Sequence, residues 1–219
     1  MSRLIAIGDI HGSLGKFKSL VDNINLQPGD RIRFLGDVIN RGPDTKGVVD
    51  LILELSKNYD VKSIMGNHEE ILLASKLDKS TYKFLLKIGG IETLRSYGIE
   101  PPHTVFKALD LDLLPPDHLL YYARMHDYLV EDGFILTHAG VKHSDDLDKQ
   151  ISERLRWGNL PVGGHKSGMT VVCGHISLPE PIVSDTMIAI DTGSYKENGY
   201  ITAIDLTTLT TWRSDVIAK

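Results

Sequence analysis

The chain has 219 residues, of which 42% are hydrophobic and 24% charged, with a formal net charge of −5. This composition excludes a disordered or fibrous chain, and the acidic balance argues against a broad nucleic-acid footprint, which needs a basic face. No stretch reaches the roughly 18 apolar residues of a membrane helix, and the apolar run before Gly8 is too short for a signal-peptide core. The single cysteine, Cys173, excludes an internal disulfide and reads as an inert core thiol, which fits a cytoplasmic location.

In chain order, Leu4–Ile7 reads as an apolar strand. Ser13 is placed to cap a helix whose apolar positions Leu14, Phe17, Leu20, Val21 and Ile24 recur near every 3.6 residues. A turn at 27–30 leads to a second strand over 31–35, and Thr45 is placed to cap a helix carrying Val48, Val49, Ile52, Leu53 and Leu55. A third strand over 61–65 completes a βαβαβ unit, which implies parallel strands with right-handed crossovers. Residues 69–128 look mostly helical, punctuated by Gly89-Gly90, Gly98 and diprolines at 101–102 and 115–116. A β-hairpin is expected over 128–137, then short strands at 170–173, 187–190, 200–205 and 209–213. Without a repeat or linker, the simplest account is one α/β domain over 1–219 with a helical insertion at about 69–128.

Each residue singled out for chemistry directly follows an expected strand. Asp9 and His11 follow the first, in Gly8-Asp9-Ile10-His11-Gly12, and Asp37 follows the second, in a run ending Asn40-Arg41-Gly42-Pro43. Asn67 and His68 follow the third in Gly66-Asn67-His68-Glu69, His138 follows the hairpin, and His175 follows the strand ending at Cys173. In an open α/β sheet such loops border one crevice. Carboxylate, imidazole and amide donors suit Mn, Fe or Zn, and one carboxylate can bridge two ions at the spacing used for attack on phosphorus. Taken singly, each piece could be a turn, a helix cap or a core histidine; five glycine-flanked loops together argue for a site. His103, His118, His126, His143 and His165 lack such neighbours and read as surface or packing residues.

Together, Gly-Asp-x-His-Gly, Gly-Asp-x-x-x-Arg-Gly and Gly-Asn-His-Glu resemble the calcineurin-like metallophosphoesterases, and within them the phosphoprotein-phosphatase branch. The segment from Gly89 to Gly98 and the run from Val171 to Gly193 resemble bacterial serine/threonine phosphatases. The resemblance implies a four-layer α/β/β/α sandwich of two mixed sheets with a metal site at the strand C-terminal ends. It implies two divalent ions, Mn being expected, with Asp9, His11 and Asp37 on the first and Asn67, His138 and His175 on the second, sharing Asp37. A metal-bridging hydroxide would attack phosphorus in line, Arg41 would hold phosphate oxygens together with Asn67 and His68, and His68 would protonate the leaving group. Two departures stand out. Asn40 replaces a frequent Asp, so it is expected to accept a hydrogen bond from His68 without contributing charge. Trp157-Gly158-Asn159 replaces Trp-x-Arg, which leaves Arg156 or Arg154 to supply a second phosphate contact. The expected substrate is a phosphoprotein or a phosphorylated small molecule, with no membrane partner and no assigned oligomeric state. Asn-Arg-Gly-Pro at 40–43 also resembles symmetrical dinucleoside-tetraphosphate hydrolases, the alternative reading. A non-catalytic scaffold is the remaining one, disfavoured because the ligands, Arg41 and His68 are all present.

Overall fold

A computed structural model describes residues 2–100 and 109–216; the diproline at 101–102 and His103 lie outside the described residues. The first half builds the expected unit: β1 (Leu4–Ile7), α1 (Leu14–Ile24), β2 (Arg31–Phe34), α2 (Thr45–Leu55) and β3 (Asp60–Ser63). β1 and β2 are parallel with Leu4 opposite Arg31, and β2 and β3 are parallel with Arg31 opposite Asp60. The helical stretch comprises α3 (Asn67–Ala74), α4 (Lys79–Leu85), α5 (Ile91–Ser96) and α6 (Pro116–Ala123). A hairpin of β4 (Tyr128–Glu131) and β5 (Phe134–Thr137) follows, then α7 (Ser152–Trp157) and β6 (Thr170–Cys173). The chain closes with β7 (Ile182–Val183), β8 (Met187–Ala189), β9 (Thr202–Asp205) and β10 (Thr211–Arg213). The short α7 and β7 carry too little periodic pattern to be read from sequence.

Two caps differ from expectation. Asp44, not Thr45, caps α2, its carboxylate accepting from the Gly47 N–H at 2.8 Å, because Thr45 is drawn inward to Thr93. The Ser13 hydroxyl makes no cap and instead reaches the carbonyls of His11 and Ser194.

The strands form two mixed five-stranded sheets, ordered β10-β9-β1-β2-β3 and β4-β5-β6-β8-β7. Alternation along β1 explains how they stack. Leu4 and Ala6 point into an apolar layer shared with Ile204 of the adjacent β9 and with Leu136, Val172 and Ile188 from the facing sheet, whereas Ile5 and Ile7 pack beneath the helices with Phe17, Leu20 and Val49. Ile135 and Val171 cover the outer face of the second sheet together with Leu155 of α7. The order of layers is therefore helix, sheet, sheet, helix, as the resemblance implied.

One polar tie crosses between the sheets. Arg33 of β2 is fully buried, and its guanidinium binds Glu131 of β4 in bidentate fashion, at 3.0 and 2.8 Å, while also reaching Asp60 at 2.7 Å. Removing Glu131 leaves the buried guanidinium with only the half-exposed Asp60 carboxylate as a charged partner. Glu131→Ala is expected to destabilise the protein by about 3 kcal/mol, measured by urea denaturation, whereas Lys57→Ala on an exposed helix pair should be near neutral.

Candidate metal centre

The loops after β1, β2, β3, β5 and β6 meet at one end of the two sheets. Backbone bonds fix the first two together: Ile10 and His11 donate to the Asp37 carbonyl at 3.1 and 2.9 Å, and Gly12 to that of Val38 at 2.9 Å. Several of the residues adopt left-handed backbone that an L side chain tolerates poorly, namely His11, Asp37, Asn40, Arg41 and His175, with φ between 47° and 69°. Such strain persists only where surrounding structure enforces it, and it gathers at functional sites. Two glycines have a steric reason: a Cβ on Gly66 or Gly174 would collide with the carboxylates of Asp37 and Asp9, respectively.

The carboxylates are aimed by backbone N–H groups. The His68 amide donates to Asp37 Oδ1 at 3.0 Å and the His175 amide to Asp9 Oδ1 at 3.2 Å, so each Oδ2 is left for the cluster. Asp37 Oδ2 is a hub, 3.7 Å from His11 Nε2, 3.8 Å from His68 Nε2 and 3.5 Å from His138 Nε2. Asp9 Oδ2 lies 3.9 Å from His11 Nε2 and is buried with no hydrogen-bond partner.

The chemistry of these donors tests whether a cation fits. Nδ1 of His11 is bound to the Ile39 carbonyl at 2.9 Å and Nδ1 of His138 to that of Leu35 at 2.8 Å, which in neutral rings leaves Nε2 as a lone pair facing inward. His138 Nε2 then meets Asn67 Oδ1 at 3.0 Å and His175 Nδ1 at 3.2 Å, a convergence of acceptors. Candidate ligand atoms of His11, Asp37 and His68 lie within 4.8 Å of one another, as do those of Asp37, His138 and His175. Buried acceptors so arranged need a cation or protons between them, and oxygen and nitrogen donors suit divalent ions. The residues present fit two such ions with Asp37 common to both.

Titration tells the same story. Burial, then Asp191 and Asp37, push the Asp9 carboxyl well above the usual range. Asp37 is buried too, but His138, His68 and His11 hold it well below that range. Burial lowers His11 to about 3, and burial plus His138 lowers His175 to about 4. His138 goes the other way, to about 10, because Asp37 and Asp9 outweigh its burial.

Arg41 and His68 occupy the opposite side. Arg41 Nη1 lies 3.0 Å from His11 Nε2 and Nη2 lies 3.1 Å from His68 Nε2. Asn40 differs from expectation. Thr93 Oγ1 donates to Asn40 Oδ1 at 2.8 Å, so the amide nitrogen is what meets His68 Nδ1, also at 2.8 Å. Asn40 therefore donates to the ring, and a neutral His68 carries its proton on Nε2, beside Arg41. Two donors facing each other there suit an anionic oxygen. Burial, followed by Arg41 and His138, lowers His68 from its ordinary value, against the pull of Asp37. Arg156 does not join the cluster: its guanidinium pairs with Glu70 and Asp127, and Trp157 Nε1 also donates to Glu70, at 2.7 Å.

Sequence reasoning passed over Glu69 and Asp191. Glu69 is fully buried and accepts from the amides of Asp37 and Val38, both at 2.9 Å, and Gly66 at 3.0 Å. Asp191 is buried directly after β8 and accepts from Gly193 at 2.8 Å. Its position after a strand, like that of the other loop residues, was the available signal.

A helix–sheet–sheet–helix sandwich with carboxylate, imidazole and amide donors converging at its strand ends defines a phosphoesterase of the metal-dependent kind. The chain belongs to the calcineurin-like phosphoesterases, whose family profile matches residues 2–187. It is 24% identical to the asymmetrical bis(5'-nucleosyl)-tetraphosphatase PrpE of Geobacillus thermodenitrificans, over 94% of this chain and 91% of that protein. It is 31% identical to a symmetrical bis(5'-nucleosyl)-tetraphosphatase of Azotobacter vinelandii, over 69% of this chain but 50% of that longer protein. Among solved structures it is similar to a candidate diadenosine tetraphosphatase, with a TM-score of 0.72 and 20% identity, over 97% of this chain and 92% of the other. It is also similar to the cold-active protein-tyrosine phosphatase of a Shewanella species, with a TM-score of 0.62 and 13% identity, over 98% and 81% of the two chains.

Glu69→Gln puts an amide N–H₂ against backbone N–H groups, so it is expected to cost about 2 kcal/mol or more. Denaturation of the metal-free protein and metal stoichiometry after dialysis would read it. Unchanged stability and full metal loading would show that the clamp is dispensable.

Proposed function

We propose that this chain hydrolyses dinucleoside tetraphosphates at the Asp37 cluster. The observation that carries this reading is the contact between Asn40 and His68. A carboxylate on Nδ1 would stabilise an imidazolium and keep His68 protonated near neutral pH, ready to give a proton to a departing serine or threonine alkoxide. The Asn40 amide gives no such charge. A leaving group that is itself a phosphate oxygen needs far less proton assistance, because phosphate already ionises near neutrality. Relatives matched along nearly the whole chain carry the tetraphosphatase name, which supports the same substrate class. This displaces the phosphoprotein substrate expected from the Gly89–Gly98 resemblance.

Asp9, His11 and Asp37 would hold one divalent ion, and Asn67, His138 and His175 the other, with Asp37 shared and Mn the proposed metal. When bound, such ions supply positive charge to phosphoryl oxygens and acidify water near neutral pH. The chain's own residues do the rest. Arg41 presents its planar guanidinium to non-bridging oxygens. Its backbone is held in place where its amide donates to the Gly89 carbonyl at 3.0 Å. His68 keeps its Nε2 proton on the side where the leaving oxygen departs, fixed by Asn40, which Thr93 in turn fixes.

Mn-supplemented protein is expected to turn over diadenosine tetraphosphate faster than a phosphoserine peptide, and EDTA or Asp37→Ala should abolish both. Faster phosphopeptide turnover would instead select the protein-phosphatase reading. Asn40→Asp should raise phosphoserine turnover relative to diadenosine tetraphosphate; an unchanged ratio would sink the leaving-group argument.

A further inference from the structure

Beside the cluster, a cleft of about 500 Å³ opens between the start of α1 and the loop that follows Asp191. Lys16, Arg41, Pro43, Asp44, Ser194 and Tyr195 are among its lining residues. Tyr195 is 39% exposed; its ring lies 4.2 Å from the Arg41 guanidinium carbon and stands edge-on to His11 at 5.1 Å. Ser194 is 1% exposed, and its hydroxyl has no hydrogen-bond partner among the described residues.

The aromatic wall is held rigidly. The half-buried Lys16 ammonium donates to the carbonyls of Ser194, Lys196 and Gly199 at 2.8, 3.0 and 2.6 Å, stapling the loop that carries Tyr195 onto α1. A fixed aromatic ring next to an arginine suits a nucleoside, whose base stacks on rings and whose phosphate the guanidinium grips.

Resting on the tetraphosphatase reading, we propose that this cleft receives the nucleoside borne by the attacked phosphate, with Tyr195 as its stacking wall and Lys16 as the positioning residue. Arg41 lines the cleft and also touches His11 and His68, so the phosphate joined directly to a nucleoside seated here is the one this guanidinium presents to the cluster. The attacked atom is then the outer phosphorus of the chain. Water oxygen bonds to that phosphorus, and the bond from it to the bridging oxygen breaks. The electron pair stays on the bridging oxygen, which becomes the terminal oxygen of a nucleoside triphosphate. One water proton remains with the new phosphate oxygen or is lost to solvent, and the other neutralises the leaving oxygen. The products are one nucleoside monophosphate and one triphosphate.

Two measurements on the Mn-loaded full chain test this. In p-nitrophenyl phosphate hydrolysis, AMP should inhibit roughly tenfold more tightly than inorganic phosphate, the size of one base–aromatic stack. Tyr195→Leu should bring the two inhibition constants together, while Tyr195→Phe should keep them apart; their ratio cancels any general loosening of Arg41. Equal inhibition by AMP and phosphate in the wild type would overturn the subsite. In ¹⁸O-water, diadenosine tetraphosphate should yield labelled AMP and unlabelled ATP. Label in ATP, or two molecules of ADP, would overturn the assignment of the attacked phosphorus. If p-nitrophenyl phosphate is hydrolysed and diadenosine tetraphosphate is not, the tetraphosphatase reading falls, and the AMP competition still decides the cleft.

Discussion

The site depends on one buried carboxylate that is engaged by the backbone amides around Asp37. Glu69 gathers the amides of Asp37, Val38 and Gly66, and so binds the loop after β2 to the loop after β3. Burial and the neighbouring Asp37 push its carboxyl up to about 7, against the backbone N–H groups that favour the ionised form. Its ionised oxygens match the N–H groups; an apolar residue would leave the four buried amides of Asp37, Val38, Ile39 and Gly66 without this acceptor. Because Asp37 supplies its Oδ2 to both halves of the cluster, fixing the Asp37 backbone fixes the centre of the whole arrangement.

Around that clamp the polar groups are sorted by sign. Acceptors converge on one side, where Asn67 Oδ1, His138 Nε2 and His175 Nδ1 crowd together. Donors converge on the other, where Arg41 Nη2 faces His68 Nε2. The first grouping calls for cations and the second for an anion, and they are separated by little more than the Asp37 side chain. Such an arrangement is costly for an empty protein, since like groups face each other away from water. The left-handed backbone at His11, Asp37, Arg41 and His175 adds to that cost. The apolar layers around the two sheets and the Arg33–Glu131 tie supply the rigidity that keeps this arrangement from relaxing.

How much of this could be read from the chain follows from the range of each interaction. Strand-end loops flanked by glycine are local patterns, so Asp9, His11, Asp37, Asn67, His138 and His175 could be singled out before any coordinates. The parallel β1–β2–β3 core followed from alternation and helix period in the same way. Side-chain partners distant in sequence could not. Thr93 lies 53 residues from Asn40 and sets which end of that amide meets His68. Arg156 lies 86 residues from Glu70, and nothing near Arg156 shows that its charge is already engaged. Thr45 looked like a cap from its neighbours alone, and only the contact with Thr93 turns it inward and leaves the role to Asp44.

The Asn40 contact shows how one distant partner can bear on substrate choice. An asparagine beside a histidine can either accept from the ring or donate to it, and the two cases place the proton of a neutral ring on opposite nitrogens. Thr93 decides between them: its hydroxyl also meets Thr45 Oγ1 and accepts the Asn40 amide at 2.9 Å, so the loop and the side chain are fixed together. With Oδ1 occupied, Nδ2 is committed to His68 and the imidazole keeps its proton on the substrate side without needing to be charged. A neutral imidazole can donate a hydrogen bond there but would have to become an imidazolate to give up its proton, so on the proposed tetraphosphatase reading it suits a leaving group that departs unprotonated, such as a polyphosphate, and serves an alkoxide poorly. The position of the proton on His68 then rests on the Thr93 hydroxyl, which reaches the ring only through Asn40.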